Sequence, residues 1–188
     1  MASIANKVVC ITGASRGLGA ALAKAFGDEG AQLVLAGRDA AGIDDIAATL
    51  SNAMAVQCDV ASVTELENLM DAVMGEFGQI DVMINCAGNA VFGSAIDATE
   101  REFDEVFDAN VKGTFFGSKV ALIAMKEAHK GLIINVAADP TGWKSSVVYA
   151  AANAAVREMT RRFRDEAAQY NVRVSAVVAS GIDTPMWL

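Results

Sequence analysis

Short apolar runs alternate with amphipathic stretches along the whole chain. The apolar runs are rich in Val, Ile and Leu and predict strands near residues 7–12, 31–36, 53–58, 80–85, 131–137 and 172–178. Helical spacing between them predicts helices near 16–29, 40–50, 62–77, 99–128 (broken near Asn110) and 147–170. Buried strands that alternate with helices indicate a doubly wound α/β fold, in which helices cover both faces of a parallel sheet to give three layers.

Length and composition narrow the class of protein further. At 188 residues with 53% hydrophobic residues, the chain is expected to form a single domain over residues 1–188. It has no apolar run long enough to span a bilayer and no signal peptide, which favours a cytoplasmic protein without a membrane partner. A net charge of −8 argues against nucleic acid as a partner.

The metal-binding residue types are sparse. The three cysteines, Cys10, Cys58 and Cys86, fall in predicted strands and form no Cys-x-x-Cys pair, and His129 is the only histidine. Zinc sites need four such ligands at close spacing. We therefore expect three reduced core thiols and no metal site.

A glycine-rich segment directly follows the first predicted strand and leads into the first predicted helix. Glycines let the backbone turn sharply and let a pyrophosphate approach, while the free N–H groups at the helix start face the anion. A tight turn without a ligand is the alternative, but the strand and helix on either side favour nucleotide binding. The residues predicted to contact the nucleotide here are Gly13, Ser15, Arg16, Gly17, Leu18 and Gly19.

Other polar and small residues also follow predicted strands. Because the carboxyl ends of parallel strands share one edge of the sheet, these residues should lie around one crevice. They are Arg38 after the second strand, Asp59 after the third, Asn85–Gly88 after the fourth, Ala137–Gly142 after the fifth, and Gly181–Thr184 after the sixth.

Five segments together resemble the short-chain dehydrogenase/reductase (SDR) family. They are Thr12-Gly13-x-x-x-Gly17-x-Gly19, Cys58-Asp59-Val60, Asn85-Cys86-Ala87-Gly88, Asn110-Val111-Lys112-Gly113, and Ser180-Gly181 followed by Thr184-Pro185-Met186. The resemblance covers essentially the whole chain and implies a Rossmann-type fold and a nicotinamide cofactor. Beyond the glycine loop, the cofactor residues that it implies are Arg38, Asp59, Val60, Asn85, Ala87, Gly88, Asn153 and Thr184.

The resemblance also implies a catalytic Ser-Tyr-Lys set with an Asn, of which this chain keeps only part. Tyr149 and Asn110 are present, but Asn153 stands at the Lys position and Ala138 at the Ser position. A Lys one helical turn from the phenol would lower its pKa toward neutrality, whereas Asn carries no charge. Lys144, Ser145 and Ser146, in the loop before Tyr149, are possible substitutes.

The residues after the second strand bear on the choice of cofactor. NAD-selective proteins of this fold place an acid there to bind the ribose 2′-hydroxyl. This chain has Gly37 followed by Arg38, with Arg16 expected nearby, and arginines suit a 2′-phosphate. We expect NADP rather than NAD, although both arginines could be ordinary surface residues.

The family continues beyond the point that corresponds to Leu188 with a substrate lid, a helix and a last strand. We therefore expect a sheet that lacks this last strand, an exposed edge on the sixth strand, and little of the substrate pocket. The segments 99–128 and 147–170 resemble the helices that family members pack into a dimer. This predicts a homo-oligomer or association with a related subunit.

Three functions are consistent with these features. The first is an NADP-binding SDR-like protein with weak or absent hydride transfer. The second is an active NADP-dependent carbonyl reductase, acting on a small carbonyl or alcohol substrate, in which Tyr149 works through Asn110, Asn153 and water. The third is a non-catalytic subunit or assembly module.

Overall fold

A computed structural model of the protein describes residues 3–184. The strands are β1 Val8–Thr12, β2 Gln32–Gly37, β3 Ala53–Gln57, β4 Val82–Asn85, β5 Gly131–Ala138 and β6 Val172–Ala179. The α-helices are α1 Gly17–Asp28, α2 Ala40–Ala48, α3 Val63–Phe77, α4 Glu100–Val106, α5 Gly113–Lys126 and α6 Val147–Ala167. A π-helix, Phe107–Lys112, joins α4 to α5, and a 3₁₀ turn, Ala168–Tyr170, follows α6. The elements therefore match those predicted from the apolar pattern to within a residue or two at their ends.

The strands form one parallel sheet in the order β3-β2-β1-β4-β5-β6. The order reverses between β1 and β4, and in open α/β sheets such a reversal leaves a crevice beyond the carboxyl ends of the strands. The predicted doubly wound, Rossmann-like α/β fold is confirmed.

Alternate residues of the strands pack into two separate cores, because successive side chains of a strand point to opposite faces. On one face, Cys10 and Ile133 pack among residues of α3, α5 and α6. On the other face, Val9 and Ile11 pack with residues of α1 and α2. The helices on the two faces and the sheet between them are the three predicted layers.

The face of the sheet that packs against α1 and α2 is less well covered toward β6. Ile134 and Val136 of β5 are only half-buried, and Val177 of β6 is 50% exposed. Within residues 3–184, β6 is the last strand on its side of the sheet, as we expected. The sequence also predicts that Trp187 and Leu188 are exposed unless something covers them, and both residues lie outside the described part of the chain.

The predicted break near Asn110 is a widened turn rather than an interruption. Helix α4 begins with a capping box, in which the Glu102 amide donates to Thr99 Oγ1 (3.2 Å) and Glu102 Oε2 accepts from the Thr99 amide (2.8 Å). The helical path then continues through the π-helix into α5. A π-turn holds one extra residue and often lies at a functional site.

A buried carboxylate joins three strands at the opposite edge of the sheet. Asp81 is 6% exposed, and its side chain accepts hydrogen bonds from Lys130 Nζ (2.6 Å) and from the Val8 amide (3.1 Å). Lys7 Nζ lies 3.4 Å away. Burial alone would raise the pKa of Asp81, but the hydrogen bonds and the two ammonium groups hold it below its ordinary value. The cluster ties together the starts of β1, β4 and β5.

The thiols lie in and next to the strands. Cys10 is buried in β1, while Cys58 and Cys86 come directly after β3 and β4 rather than within them, which corrects their predicted placement. Burial raises the pKa of Cys10 and Cys58 to about 12. Among residues 3–184 no group of His, Cys, Asp or Glu is arranged to hold a metal ion, and no helix is both long and apolar enough to cross a bilayer.

Candidate nucleotide-binding and catalytic site

A cavity of about 470 Å³ lies beyond the carboxyl ends of the strands. Every predicted site residue except Asn85 lines it. The lining residues that the sequence predicted are Gly13, Ser15, Arg16, Gly17, Leu18, Gly19, Arg38, Asp59, Val60, Ala87, Gly88, Asn110, Tyr149, Asn153 and Thr184. The structure thus brings together residues that are far apart in the sequence.

The glycine loop has the shape that a pyrophosphate needs. Gly13 and Gly17 have φ of 70° and 57°, the left-handed region that favours glycine. A Cβ on Gly13 would lie 2.7 Å from Ala87 Cα, and one on Gly19 would collide with the Gly13 carbonyl. Helix α1 begins at Gly17 with no side-chain cap and no acid in its first turn. The loop therefore fits the anionic part of a dinucleotide, which free N–H groups at a helix start bind well.

Thr12 holds the glycine loop next to the end of β4. Its hydroxyl oxygen accepts hydrogen bonds from the amides of Cys86 (3.1 Å) and Ala87 (3.2 Å). Thr12 belongs to the glycine motif of the sequence, but no separate role was predicted for its side chain. The sequence signal for this role was a hydroxyl residue at the last position of an otherwise apolar strand, and the structure shows that this residue is buried.

The side chain of Asn85 contacts other side chains of the interior and not the cavity. Its side chain is buried in the interior, where Nδ2 donates to Asn135 Oδ1 (2.8 Å) and to Ser118 Oγ (3.1 Å). Asn135 Nδ2 in turn donates to Thr160 Oγ1 (2.9 Å). This network joins β4, α5, β5 and α6 beneath the cavity, and Asn85 can influence a cofactor only through the position of the segment that follows it.

Asn110 holds that same segment from the other side. Its Oδ1 accepts a hydrogen bond from the Asn89 amide (2.7 Å), and its Nδ2 donates to the Asn89 carbonyl (2.9 Å). The side chain is buried within the π-helix. Both of its polar groups are therefore used to fix the backbone next to Gly88.

The end of the cavity near β2 and α1 carries the positive charge. Arg16 and Arg38 line it, and neither forms a salt bridge within residues 3–184. Asp39 also lines the cavity, but its Oδ1 accepts from the Gly42 amide (3.1 Å) and caps α2. Two unpaired guanidinium groups at this position suit an anionic ligand.

Tyr149 lies at the opposite end of the cavity and is 6% exposed. Burial raises the pKa of its phenol, and the Asn153 side chain opposes this rise only in part. The rings of Phe92 and Trp143 surround it, with centroids 5.7 Å and 6.2 Å from that of Tyr149. The phenol therefore remains protonated at neutral pH.

The Asn153 side chain bonds to the backbone through both its oxygen and its nitrogen. Its Oδ1 accepts from the Ala138 amide (2.6 Å), and its Nδ2 donates to the Tyr149 carbonyl (2.8 Å). Among the described residues no lysine lines the cavity. Apart from Tyr149, the hydroxyl groups on the described lining are those of Ser15, Thr114 and Thr184, none of which belongs to β5.

The three residues considered as substitutes do not line the cavity. Ser146 is buried at the start of α6, where its hydroxyl donates to the Trp143 carbonyl (3.2 Å). The Ser145 carbonyl accepts from the Gly93 amide (2.8 Å), and Lys144 is exposed. The loop thus brings no replacement for the Ser or the Lys to Tyr149.

Comparisons with known proteins agree with this architecture. The protein-family model for short chain dehydrogenase matches residues 7–188. Uncharacterized oxidoreductases of Staphylococcus epidermidis and Staphylococcus aureus are each 34% identical, over 191 and 189 residues. These matches cover 99% and 98% of this chain, and 82% and 81% of the relatives.

A solved structure is similar over the same range. The 3-ketoacyl-(acyl-carrier-protein) reductase from Brucella melitensis, complexed with NADH, superimposes with a TM-score of 0.93 at 28% sequence identity. The match covers 98% of this chain and 79% of that one. This chain therefore belongs to the short-chain dehydrogenase/reductase family, whose members are oxidoreductases that use a nicotinamide cofactor.

Proposed function

We propose that this chain binds NADP(H) in the cavity described above and that it transfers hydride weakly or not at all. One observation carries the proposal. Asn153, at the position of the family's Lys, uses both of its polar groups on the backbone of Ala138 and Tyr149. Within residues 3–184, no charged group shifts the pKa of the Tyr149 phenol.

The missing cation matters because of the proton that the reaction requires. A nicotinamide cofactor, when bound, supplies or accepts the hydride, and Tyr149 would have to give a proton to the substrate oxygen or take one from it. A general acid works best when its pKa lies near the working pH. Burial moves the pKa of Tyr149 further from neutrality, so the phenol is a poor acid and its anion is rarely present.

The second missing group has a different role. A hydroxyl at the end of β5 would donate a hydrogen bond to the substrate oxygen as negative charge develops there, a contribution typically worth 10²-fold or more. Ala138 has no side-chain donor, and its amide is already bonded to Asn153. Two interactions with the same transition state are therefore lost together.

The preference for NADP(H) is supported by the charges at the other end of the cavity. Neither Arg16 nor Arg38 forms a salt bridge with another residue of 3–184, and Gly37 offers no carboxylate to a ribose 2′-hydroxyl. The nearest acid on the chain, Asp39, is bonded to the start of α2. A 2′-phosphate would find two guanidinium groups at this position and a carboxylate that is already engaged.

The test combines binding with turnover. NADPH and NADH are titrated separately by cofactor fluorescence, and oxidation of NADPH is then followed with a panel of small ketones. We expect NADPH to bind more tightly, with turnover at least 10²-fold below that of a family member that keeps the Ser and the Lys. NADH is a meaningful competitor because the Brucella reductase was solved with it.

Each other outcome selects a different function. Turnover at an ordinary family rate would identify an active carbonyl reductase and refute the loss of activity. Absence of binding for both cofactors would refute the proposal and favour a non-catalytic assembly module.

A further inference from the structure

A half-buried asparagine, Asn89, follows β4, and its main chain is held on both sides. Its amide donates to Asn110 Oδ1 (2.7 Å), and its carbonyl accepts from Asn110 Nδ2 (2.9 Å). Both bonds belong to the main chain of Asn89 and do not depend on its side chain. The position of this residue is therefore fixed by its neighbour, and its side chain is left for another role.

The Asn89 side chain uses only one of its two polar groups within the protein. Its Oδ1 accepts from the Ala90 amide (2.9 Å), and since an N–H group must be paired with an oxygen, the other terminal atom is Nδ2. Within residues 3–184, Nδ2 donates to no acceptor. In the same part of the chain, no fully buried side-chain nitrogen or oxygen lacks a partner. Nδ2 therefore faces solvent with both of its hydrogens free.

Asn89 lies where two cavities meet. It lines the 470 Å³ cavity described above and also a neighbouring one of about 620 Å³ beside α4. Among the described residues, those that line both cavities are Arg38, Asp59, Asn89 and Ala109. A ligand that fills the Arg38 end of the first cavity therefore also borders Asn89.

The strand order separates Asn89 from the end of the cavity that carries the arginines. Arg38 follows β2 and Asn89 follows β4, with β1 between these two strands. Because neighbouring strands are about 4.8 Å apart, the ends of β2 and β4 are about 10 Å apart. A 2′-phosphate at Arg38 would lie on the β2 side. An acceptor for Asn89 is better supplied by the adenosine, which NADPH and NADH share.

We infer that Asn89 is a further cofactor-binding residue, whose Nδ2 donates a hydrogen bond to an oxygen or a ring nitrogen of the adenosine. The inference rests on the proposed function. Asn110 and the Ala90 amide already hold the residue in place, so little entropy is lost when the bond forms. Loss of a neutral hydrogen bond should weaken NADPH and NADH equally, by roughly 3- to 10-fold.

The experiment uses two substitutions of Asn89 in the full chain. Asn89→Ala removes the donor without adding charge, whereas Asn89→Asp removes the donor but keeps an acceptor for the Ala90 amide. NADPH, NADH and adenosine 2′,5′-bisphosphate, which lacks the nicotinamide half, are each titrated by calorimetry. Asn52→Asp is the matched control, because Asn52 is an exposed residue between α2 and β3 that lines neither cavity.

We expect both Asn89 variants to weaken all three ligands at least 3-fold, with the NADPH-to-NADH affinity ratio unchanged and no effect of Asn52→Asp. A loss in Asn89→Asp alone would show charge repulsion, and a loss in Asn89→Ala alone would show a role of the bond to Ala90. Either result would overturn the inference.

Three further outcomes would also count against a contact with the adenosine. A loss confined to NADPH would assign the contact to the 2′-phosphate and overturn the inference. Unchanged affinities in both Asn89 variants, with a parent protein that binds NADPH, would overturn this inference alone. A parent protein that binds neither cofactor would refute the proposed function, and the inference would fail with it.

Discussion

The main-chain amide of Ala138 donates a hydrogen bond to Asn153 Oδ1 over 2.6 Å. We propose that these two residues stand at the positions of the family's Ser and Lys, and they contact each other directly. A change at one position therefore alters the surroundings of the other. The proposed absence of the two groups is therefore treated as one linked feature of the junction between β5 and α6.

Restoring both groups should raise activity by more than the product of the single effects, because residues in contact are not energetically independent. We expect the double variant Ala138→Ser with Asn153→Lys to reduce ketones at least 10²-fold faster than the parent, measured as NADPH oxidation. Asn153→Lys alone removes the acceptor of the Ala138 amide, which should destabilise the fold by about 1–3 kcal/mol.

Asn153→Ala provides the comparison for that loss, since it removes the same acceptor without adding a charge. A folded double variant that binds NADPH yet remains at background would show that the absence of these two groups does not limit the rate.

The pH dependence of residual activity should reflect the buried phenol. Oxidation of an alcohol needs Tyr149 as a base. Burial raises the pKa of Tyr149 above its ordinary value of about 10, and below that pKa the anion is a small fraction that grows about tenfold per pH unit. The parent rate should therefore rise about tenfold per pH unit from neutrality toward pH 10, whereas the double variant should level off near neutrality. The residual rate of Tyr149→Phe should not change with pH. A parent rate that levels off below about pH 9 would contradict the raised pKa.

Arg38 should decide the choice of cofactor. Its guanidinium lines the cavity and forms no salt bridge within residues 3–184, so Arg38→Ala should weaken NADPH binding by roughly 10- to 100-fold with little effect on NADH. Arg38→Asp should reverse the preference, because the carboxylate repels phosphate and accepts from a ribose hydroxyl. The control is Arg101→Ala, since Arg101 is already paired with Glu105. An unchanged NADPH-to-NADH affinity ratio in Arg38→Asp would refute this role.

Self-association should occur through α5 and α6. Phe115 and Ile123 of α5 are 42% and 50% exposed, and Ala151 and Ala154 leave part of α6 open to close approach. Ile123→Glu should convert an oligomer to monomers in sedimentation experiments. Ile96→Glu is the control, because Ile96 is 94% exposed but lies outside the helices. A parent that sediments as a monomer at micromolar concentration would contradict the prediction.

Asp81 should contribute to stability rather than to binding. Asp81→Asn removes a buried charge that two ammonium groups and a backbone amide satisfy, and we expect a loss of about 2 kcal/mol in urea unfolding. The pKa of the folded-state carboxyl is lowered, so its contribution is present above the unfolded value of about 3.9 and is lost as the pH falls through the folded one. NADPH affinity should be unchanged. Equal stability of the two proteins at pH 7 would refute the role.

The fold and most of the site were predictable because both follow from simple periodic rules. Buried parallel strands give continuous apolar runs, and their carboxyl ends share one edge of the sheet. Residues as distant in the sequence as Arg38 and Thr184 could therefore be assigned to a single cavity from the amino-acid sequence alone. Backbone geometry is sufficient to place them there.

The side-chain contacts were not predictable in the same way. Asn85 and Ala87 both belong to the segment assigned to the crevice, but Asn85 is the last residue of β4 and its side chain bonds in the interior, whereas Ala87 lies after the strand and lines the cavity. For Asn153, the sequence shows the absence of a charge but not the acceptor that replaces it, because the partner amide of Ala138 comes from a different element. Hydrogen-bond partners depend on tertiary distances that no local pattern encodes.

The π-helix Phe107–Lys112 limits how many residues can join α4 to α5. The turn holds one extra residue, so removing one residue here would close it to an α-helix and displace the side chains within the turn. Asn110 would then lose its hydrogen bonds to the backbone of Asn89. Insertions and deletions are ordinarily best tolerated between regular elements. At this junction the number of residues is itself a structural requirement, and a single deletion should be more damaging than most substitutions.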